Sequence, residues 1–95
     1  MRDLDDLIAE RARTHGNFVV GAQSAATLQA FVINRASHLG APEKFALVMI
    51  ATKIARILHG DAGCVDHWDD IAGYATLVGD HIAASRAPGS APDAG

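Results

Sequence analysis

The stretch from Pro42 to His59 limits the possible folds more than any other. It opens in Ala41-Pro42-Glu43-Lys44 and stops at Gly60, the pattern of a helix with proline in its first turn and glycine just past its end. Phe45, Leu47, Val48, Met49, Ile50, Ile54, Ile57 and Leu58 make it apolar almost all the way round. The rest of a chain is expected to pack on a helix of that kind. Lys53 and Arg56 interrupt it, three residues apart and so side by side on one face. A cation on an enclosed helix requires a counter-charge or a ligand. Function is therefore sought in whatever meets these two side chains.

The segments on either side also read as helices. Asp3 to about His15 is amphipathic and acidic in its first turn, with Leu4, Leu7, Ile8, Arg11 and His15 on one face. His15-Gly16-Asn17-Phe18 is a stop, in which glycine ends one helix and asparagine can cap the next. A second helix is expected from about Val20 to His38, with a stripe of Leu28, Phe31, Val32, Arg35 and Leu39 and an end at Gly40. Gly60 to Gly63 is a turn, and a fourth helix is expected from Asp66, as N-cap, to about Ala84. No β-type alternation extends beyond Phe18-Val19-Val20. The expectation is all-α: a compact four-helix domain over 1–84 with mostly antiparallel neighbours, and a flexible, disordered C-terminal tail over 85–95.

The chain has 95 residues, the length of one domain, and 49% of them are hydrophobic. Roughly 80 residues remain once the tail is set aside, near the size at which a single core is thin. So much apolar surface predicts a homo-oligomer. A net charge of −3 argues against a nucleic-acid partner, which needs a basic field. One cysteine, Cys64, excludes an internal disulfide and suits a reducing compartment. The first residues, Met-Arg-Asp-Leu-Asp-Asp, are acidic where a secretory leader is basic and then apolar. Lys53 and Arg56 break the one run that approaches membrane-spanning length. Cytoplasmic location, with no membrane partner, is the expectation.

Folding the third and fourth helices as a hairpin about residues 60–65 puts Arg56 near Asp69 or Asp70, and Lys53 near Asp70 to Gly73. Asp66, Asp70, Gly73 and Leu77 share one face of the fourth helix, with Tyr74 on its edge, and Gly73 is expected to let the helices approach closely. The row is either a set of structural ion pairs or an incompletely paired one. In the second case Lys53, Arg56, His15, Arg11, Asp66, Asp70 and Tyr74 form the candidate ligand-binding set, with fixed N–H donors suited to phosphate.

The metal alternatives are weaker. His59, Cys64 and His67, with Asp66 beside them, lack the paired spacings of structural zinc sites. Asp66, Asp69 and Asp70 offer carboxylates to magnesium, but the facing helix presents cations instead of further carboxylates. No catalytic residue is assigned. Cys64 follows Gly63 in a turn with nothing to orient a base, and Ser24 and Ser37 lack a nucleophile elbow.

Three blocks resemble a small family of phage and prophage proteins, a domain of unknown function. They are Glu10-Arg-Ala-Arg-Thr-His-Gly-Asn-Phe18, Ala46-Leu-Val-Met-Ile-Ala-Thr-Lys-Ile-Ala-Arg-Ile-Leu-His-Gly60 and Asp66-His-Trp-Asp-Asp-Ile-Ala-Gly-Tyr-Ala75. The resemblance runs from about residue 8 to 82 and implies an all-helical phage-encoded domain acting in a bacterial cytoplasm. A more distant likeness is to all-α nucleotide pyrophosphohydrolases of the MazG and dimeric dUTPase type. Their late acidic motif is approximated by Asp66 with Asp69 or Asp70. Their E-x-x-E magnesium pair is replaced here by Lys53 and Arg56, and Glu43 stands alone.

The function expected on these grounds is a phage-type binding protein for an anionic small molecule. A nucleotide is the natural candidate, in pool adjustment or in sequestering a host defence signal, and this reading needs no cofactor. The alternatives are a magnesium-dependent nucleotide pyrophosphohydrolase and an interaction module that inhibits a host factor through an apolar face.

Overall fold

The structure, a computed structural model, describes residues 3–86. They form four helices, α1 (Leu4–His15), α2 (Phe18–Ile33), α3 (Ala41–His59) and α4 (Val65–Arg86), and no strand among the described residues. The all-α expectation holds. The expected flexible tail lies, from residue 87 onward, outside the described residues, while Ser85 and Arg86 extend α4 past the expected end at Ala84.

Local chemistry sets most of the boundaries. Asp3 caps α1 by accepting from the Asp6 N–H at 2.9 Å, and Asp5 and Asp6 face the positive end of its dipole. Asn17 caps α2 by accepting from the Val20 N–H at 3.0 Å, so α2 begins at Phe18, two residues before the sequence expectation. It also ends five residues early, at Ile33. Beyond it Arg35 and Ala36 donate to Val32 and Ile33, the tighter i→i−3 pattern of a helix running out. Asn34 and Ser37 favour turns over helix interiors, and Arg35 folds back over the Phe31 ring at 3.8 Å, donating to the Phe31 carbonyl at 3.2 Å. Asp66 is not the N-cap of α4, which starts one residue earlier and places Asp66 in its first turn. The turn before it is held by Asp61, whose carboxylate accepts from Gly63 N–H at 2.8 Å, and by Trp68, whose indole donates to the Ala62 carbonyl at 2.8 Å.

α3 touches all three other helices, while α2 and α4 pack on it without packing on each other. Gln29 of α2 reaches across to the Thr52 hydroxyl at 2.9 Å and the Val48 carbonyl at 3.3 Å. On the other side Lys53 pairs with Asp70 of α4 at 3.0 Å, in the register the hairpin argument requires.

The buried apolar residues are all alanines, Ala36, Ala46, Ala51 and Ala55, and no large side chain is fully buried among the described residues. The expectation that α3 is enclosed on all sides is corrected: Phe45, Leu47, Ile54 and Leu58 are exposed, because only two helices flank it along its length and leave a strip uncovered. Phe31 and Trp68, expected in inward stripes, are also exposed. Gly73 is not a point of close approach, since a Cβ there would meet nothing within 4 Å. No helix among the described residues is long and apolar enough to cross a membrane.

Candidate functional site

The close approach lies at the ends of α1 and α3, where two His-Gly dipeptides cross. Gly16 has φ 82°, and a Cβ there would stand 1.9 Å from the His59 carbonyl oxygen. A Cβ on Gly60 would stand 2.3 Å from the Thr14 carbonyl oxygen. Only glycine satisfies both backbones. The Thr14 carbonyl, freed by the end of α1, accepts from the Asp61 N–H at 3.0 Å and from the His67 imidazole Nε2 at 2.9 Å. A carbonyl can only accept, so His67 donates through Nε2–H. One carbonyl thus ties the α1–α2 elbow to the α3–α4 turn and to the first turns of α4.

His67 is 2% exposed. Its ring meets that of His15 edge to face, with centroids 4.9 Å apart and planes at 85°. His15 Nδ1 lies 2.6 Å from the Thr14 hydroxyl. Burial, then the nearby Arg56, His67, Lys53 and Arg11, hold His15 below the ordinary imidazole pKa.

Two cavities open from this crossing and share Arg11, His15 and Arg56 as a common wall. The smaller, about 350 Å³, lies among α1, α3 and α4 and is also lined by Glu10, Cys64, Asp66, His67 and Asp70. The larger, about 890 Å³, opens between α1, α2 and the end of α3. Its remaining walls are Ile8, Ala12, Phe18, Ala22, Ala25 and Ala55, with Asn17 and Thr52 as its polar neutral groups. Among the described residues no carboxylate lines it. Among the described residues neither Arg11 nor Arg56 has an ion-pair partner within 4.0 Å.

Five of the seven residues singled out in the sequence, Arg11, His15, Arg56, Asp66 and Asp70, therefore border one small cavity. Lys53 stands beside it, 8% exposed and paired with Asp70. Tyr74 lies apart and packs edge to face on Phe45, with centroids 6.0 Å apart. Arg56, expected against Asp69 or Asp70, shares the small cavity with Asp66 and Asp70 without an ion pair, and Asp69 is exposed outside it.

Sequence reasoning weighed His67 only as a weak zinc ligand and Gly16 and Gly60 only as helix stops, and so missed the burial of the one and the crossing of the other two. The available sign was the repeated His-Gly pair. It also missed the 2.7 Å contact between the Ser24 hydroxyl and His59 Nε2. That contact and the His67–Thr14 bond send the two histidines to different partners. Among the described residues no three His, Cys, Asp or Glu side chains gather as a metal would need. Asp70, one of the weak magnesium candidates with Asp66 and Asp69, already faces an ammonium group.

Residues 1–82 match the family described as Domain of unknown function (DUF6378). The chain belongs to that family. The DUF6378 match takes in α1, α2 and α3, most of α4 and every residue lining the two cavities. No curated protein and no solved structure matches the chain.

Proposed function

We propose that this DUF6378 domain binds an anionic small molecule, a nucleotide or similar phosphorylated compound, in the larger cleft. The observation that carries this reading is electrostatic. Two guanidinium groups without ion-pair partners among the described residues border a cleft whose other wall is α2, a helix with no charged residue in its whole length. Arginine's fork of N–H donors matches a phosphate's oxygens. The apolar walls, with Phe18 at 84% exposure, offer a heterocycle surface to lie against. The volume is that of a small-molecule site.

The smaller cavity suits an anion less well, because Asp66, Asp70 and Glu10 line it. Lys53–Asp70 is a structural pair in this scheme. Metal-dependent hydrolysis along pyrophosphohydrolase lines is disfavoured by the same pair, which puts an ammonium 3.0 Å from the carboxylate that would hold magnesium.

The proposed setting is a bacterial cytoplasm in which a phage-encoded domain adjusts nucleotide pools or sequesters a nucleotide defence signal. The proposed state is a homo-oligomer with no nucleic acid bound. Self-association is supported by the apolar surface of α3: Ile54 and Leu58 follow Leu47 by seven and eleven residues, within about 20° of it around the helix axis, and all three are exposed. A second copy covering this strip would supply the core that four alanines do not. Light scattering of the native chain is expected to give a mass above 9.9 kDa, and Leu47→Asp with Ile54→Asp is expected to return it to that value.

The binding reading is tested by thermal shift against mononucleotides, dinucleotides and cyclic nucleotides. Stabilisation by at least one, lost in Arg11→Ala and Arg56→Ala variants that stay folded, is the expected result. No shift with any of them would overturn it.

A further inference from the structure

His15 stands where the two cavities meet, and its ring nitrogens are in different situations. Nδ1 lies 2.6 Å from the Thr14 hydroxyl, which also has the Glu10 carbonyl at 3.2 Å and the Arg11 carbonyl at 3.4 Å within reach, while Nε2 is the nitrogen left without such a neighbour on its own helix. In either tautomer the neutral ring keeps one nitrogen with a lone pair that can take a proton. Cationic groups face the ring from two elements: Arg11 on its own helix, and Arg56 and Lys53 on α3. His67 faces it from α4, and α2 contributes no titratable group. The carboxylates of Glu10, Asp66 and Asp70 border the ring only in the smaller cavity, with Asp70 held by Lys53. In the absence of an anion, burial and these cations disfavour a charge on His15. An oxyanion between the two arginines offsets their charge and so weakens their opposition to a proton on the ring.

We infer that a doubly charged oxyanion seated between Arg11 and Arg56 draws a proton onto the His15 imidazole, so that binding and protonation occur together. This rests on the binding reading above and extends it in one respect. The site discriminates by charge, favouring a phosphate monoester or sulfate-like dianion over a monoanion, because a dianion offsets both guanidinium charges, whereas a monoanion leaves one of them to oppose the proton on the ring. Reciprocity follows from linkage: whatever the anion does for protonation, protonation does for the anion. A proton that binds with the ligand makes affinity fall as pH rises, by up to about tenfold per pH unit between the free and ligand-bound pKa values of His15.

Sulfate is the probe, because it keeps its charge across the range while phosphate titrates near neutrality. Calorimetry of the native chain near pH 6, in two buffers of different ionisation enthalpy, is expected to show net proton uptake on sulfate binding. The His15 imidazole resonance, followed by NMR against pH, is expected to titrate at higher pH with sulfate present. His15→Gln is expected to bind sulfate more weakly and without pH dependence. The NMR arm uses the native chain, so it decides the matter even if that variant fails to fold. Sulfate bound with no proton uptake and an unmoved His15 titration would overturn the coupling and leave the anion site standing. No sulfate binding would also overturn the coupling, and the nucleotide thermal-shift result then tells whether the anion site falls with it.

Discussion

The two cavities share one wall and differ in what faces it. On the α4 side, Arg11, His15 and Arg56 look across at Asp66 and Asp70, and the nearby Lys53 is already paired. On the α2 side the same three residues look across at alanines, glycine and Phe18. The cations are common to both, so the difference in chemistry comes from the opposite wall. α4 brings carboxylates and makes its side self-sufficient. α2, with no charged residue, leaves a positive field unanswered. A cation thus signals a ligand site only where the residues facing it supply no counter-charge.

Disrupting the shared wall should give the largest effect. Gly60→Ala, which pushes a Cβ to 2.3 Å from the Thr14 carbonyl oxygen, is expected to cost on the order of 3–5 kcal/mol in denaturant unfolding, since neither backbone can yield easily. Gly16→Ala combines a tighter overlap with positive φ and is expected to be at least as severe. Either variant unfolding with the native midpoint would show that the crossing of α1 and α3 does not hold the wall together.

The α4 side gives a smaller and asymmetric effect. The Lys53 side chain is 11% exposed, whereas that of Asp70 is 47% exposed. Asp70→Asn removes the charge opposite a lysine that cannot rehydrate and is expected to cost roughly 1–3 kcal/mol. Lys53→Met leaves a carboxylate that water can reach and is expected to cost less, under about 1 kcal/mol. The reverse order would show that Lys53, not Asp70, has the better alternative environment.

The broad fold was legible in the sequence because helix ends carry their own chemistry. Asp3, Asn17, Pro42 and Gly60 mark boundaries through local hydrogen bonding and backbone freedom alone, and the hairpin register that pairs Lys53 with Asp70 follows from counting residues about a short turn. The end of α2 was less legible, since the Phe31–Arg35–Leu39 spacing continues a helical period through a segment where Arg35 instead folds back on Phe31. The candidate site was legible as a set of side chains, though not as two cavities. Charge patterning drew attention to residues that carry charge, and the larger cleft is defined by the helix that carries none. The crossing of Gly16 and Gly60 joins two segments more than forty residues apart, and no local pattern in either one specifies the other.

The smallest expected effect is in pH dependence. His15 is held below its unfolded-state pKa, so the unfolded chain binds the proton more readily. The contribution of this residue is fully present above about pH 6.5 and is lost as pH falls from there through the lower folded-state pKa. Urea midpoints measured downward from pH 7 are expected to fall, and His15→Gln is expected to flatten that part of the profile. An unchanged profile would show that the cations around the ring are more screened than their placement implies.

The account depends on the larger cleft, not the smaller one, taking the anion, and calorimetric titration of whichever nucleotide stabilises the native chain, repeated on Arg56→Ala and Asp66→Asn, tests this most directly. Binding at least tenfold weaker in Arg56→Ala, and unchanged or tighter in Asp66→Asn, is the predicted result. Binding that survives Arg56→Ala but is lost in Asp66→Asn would place the ligand on the α4 side and contradict the account.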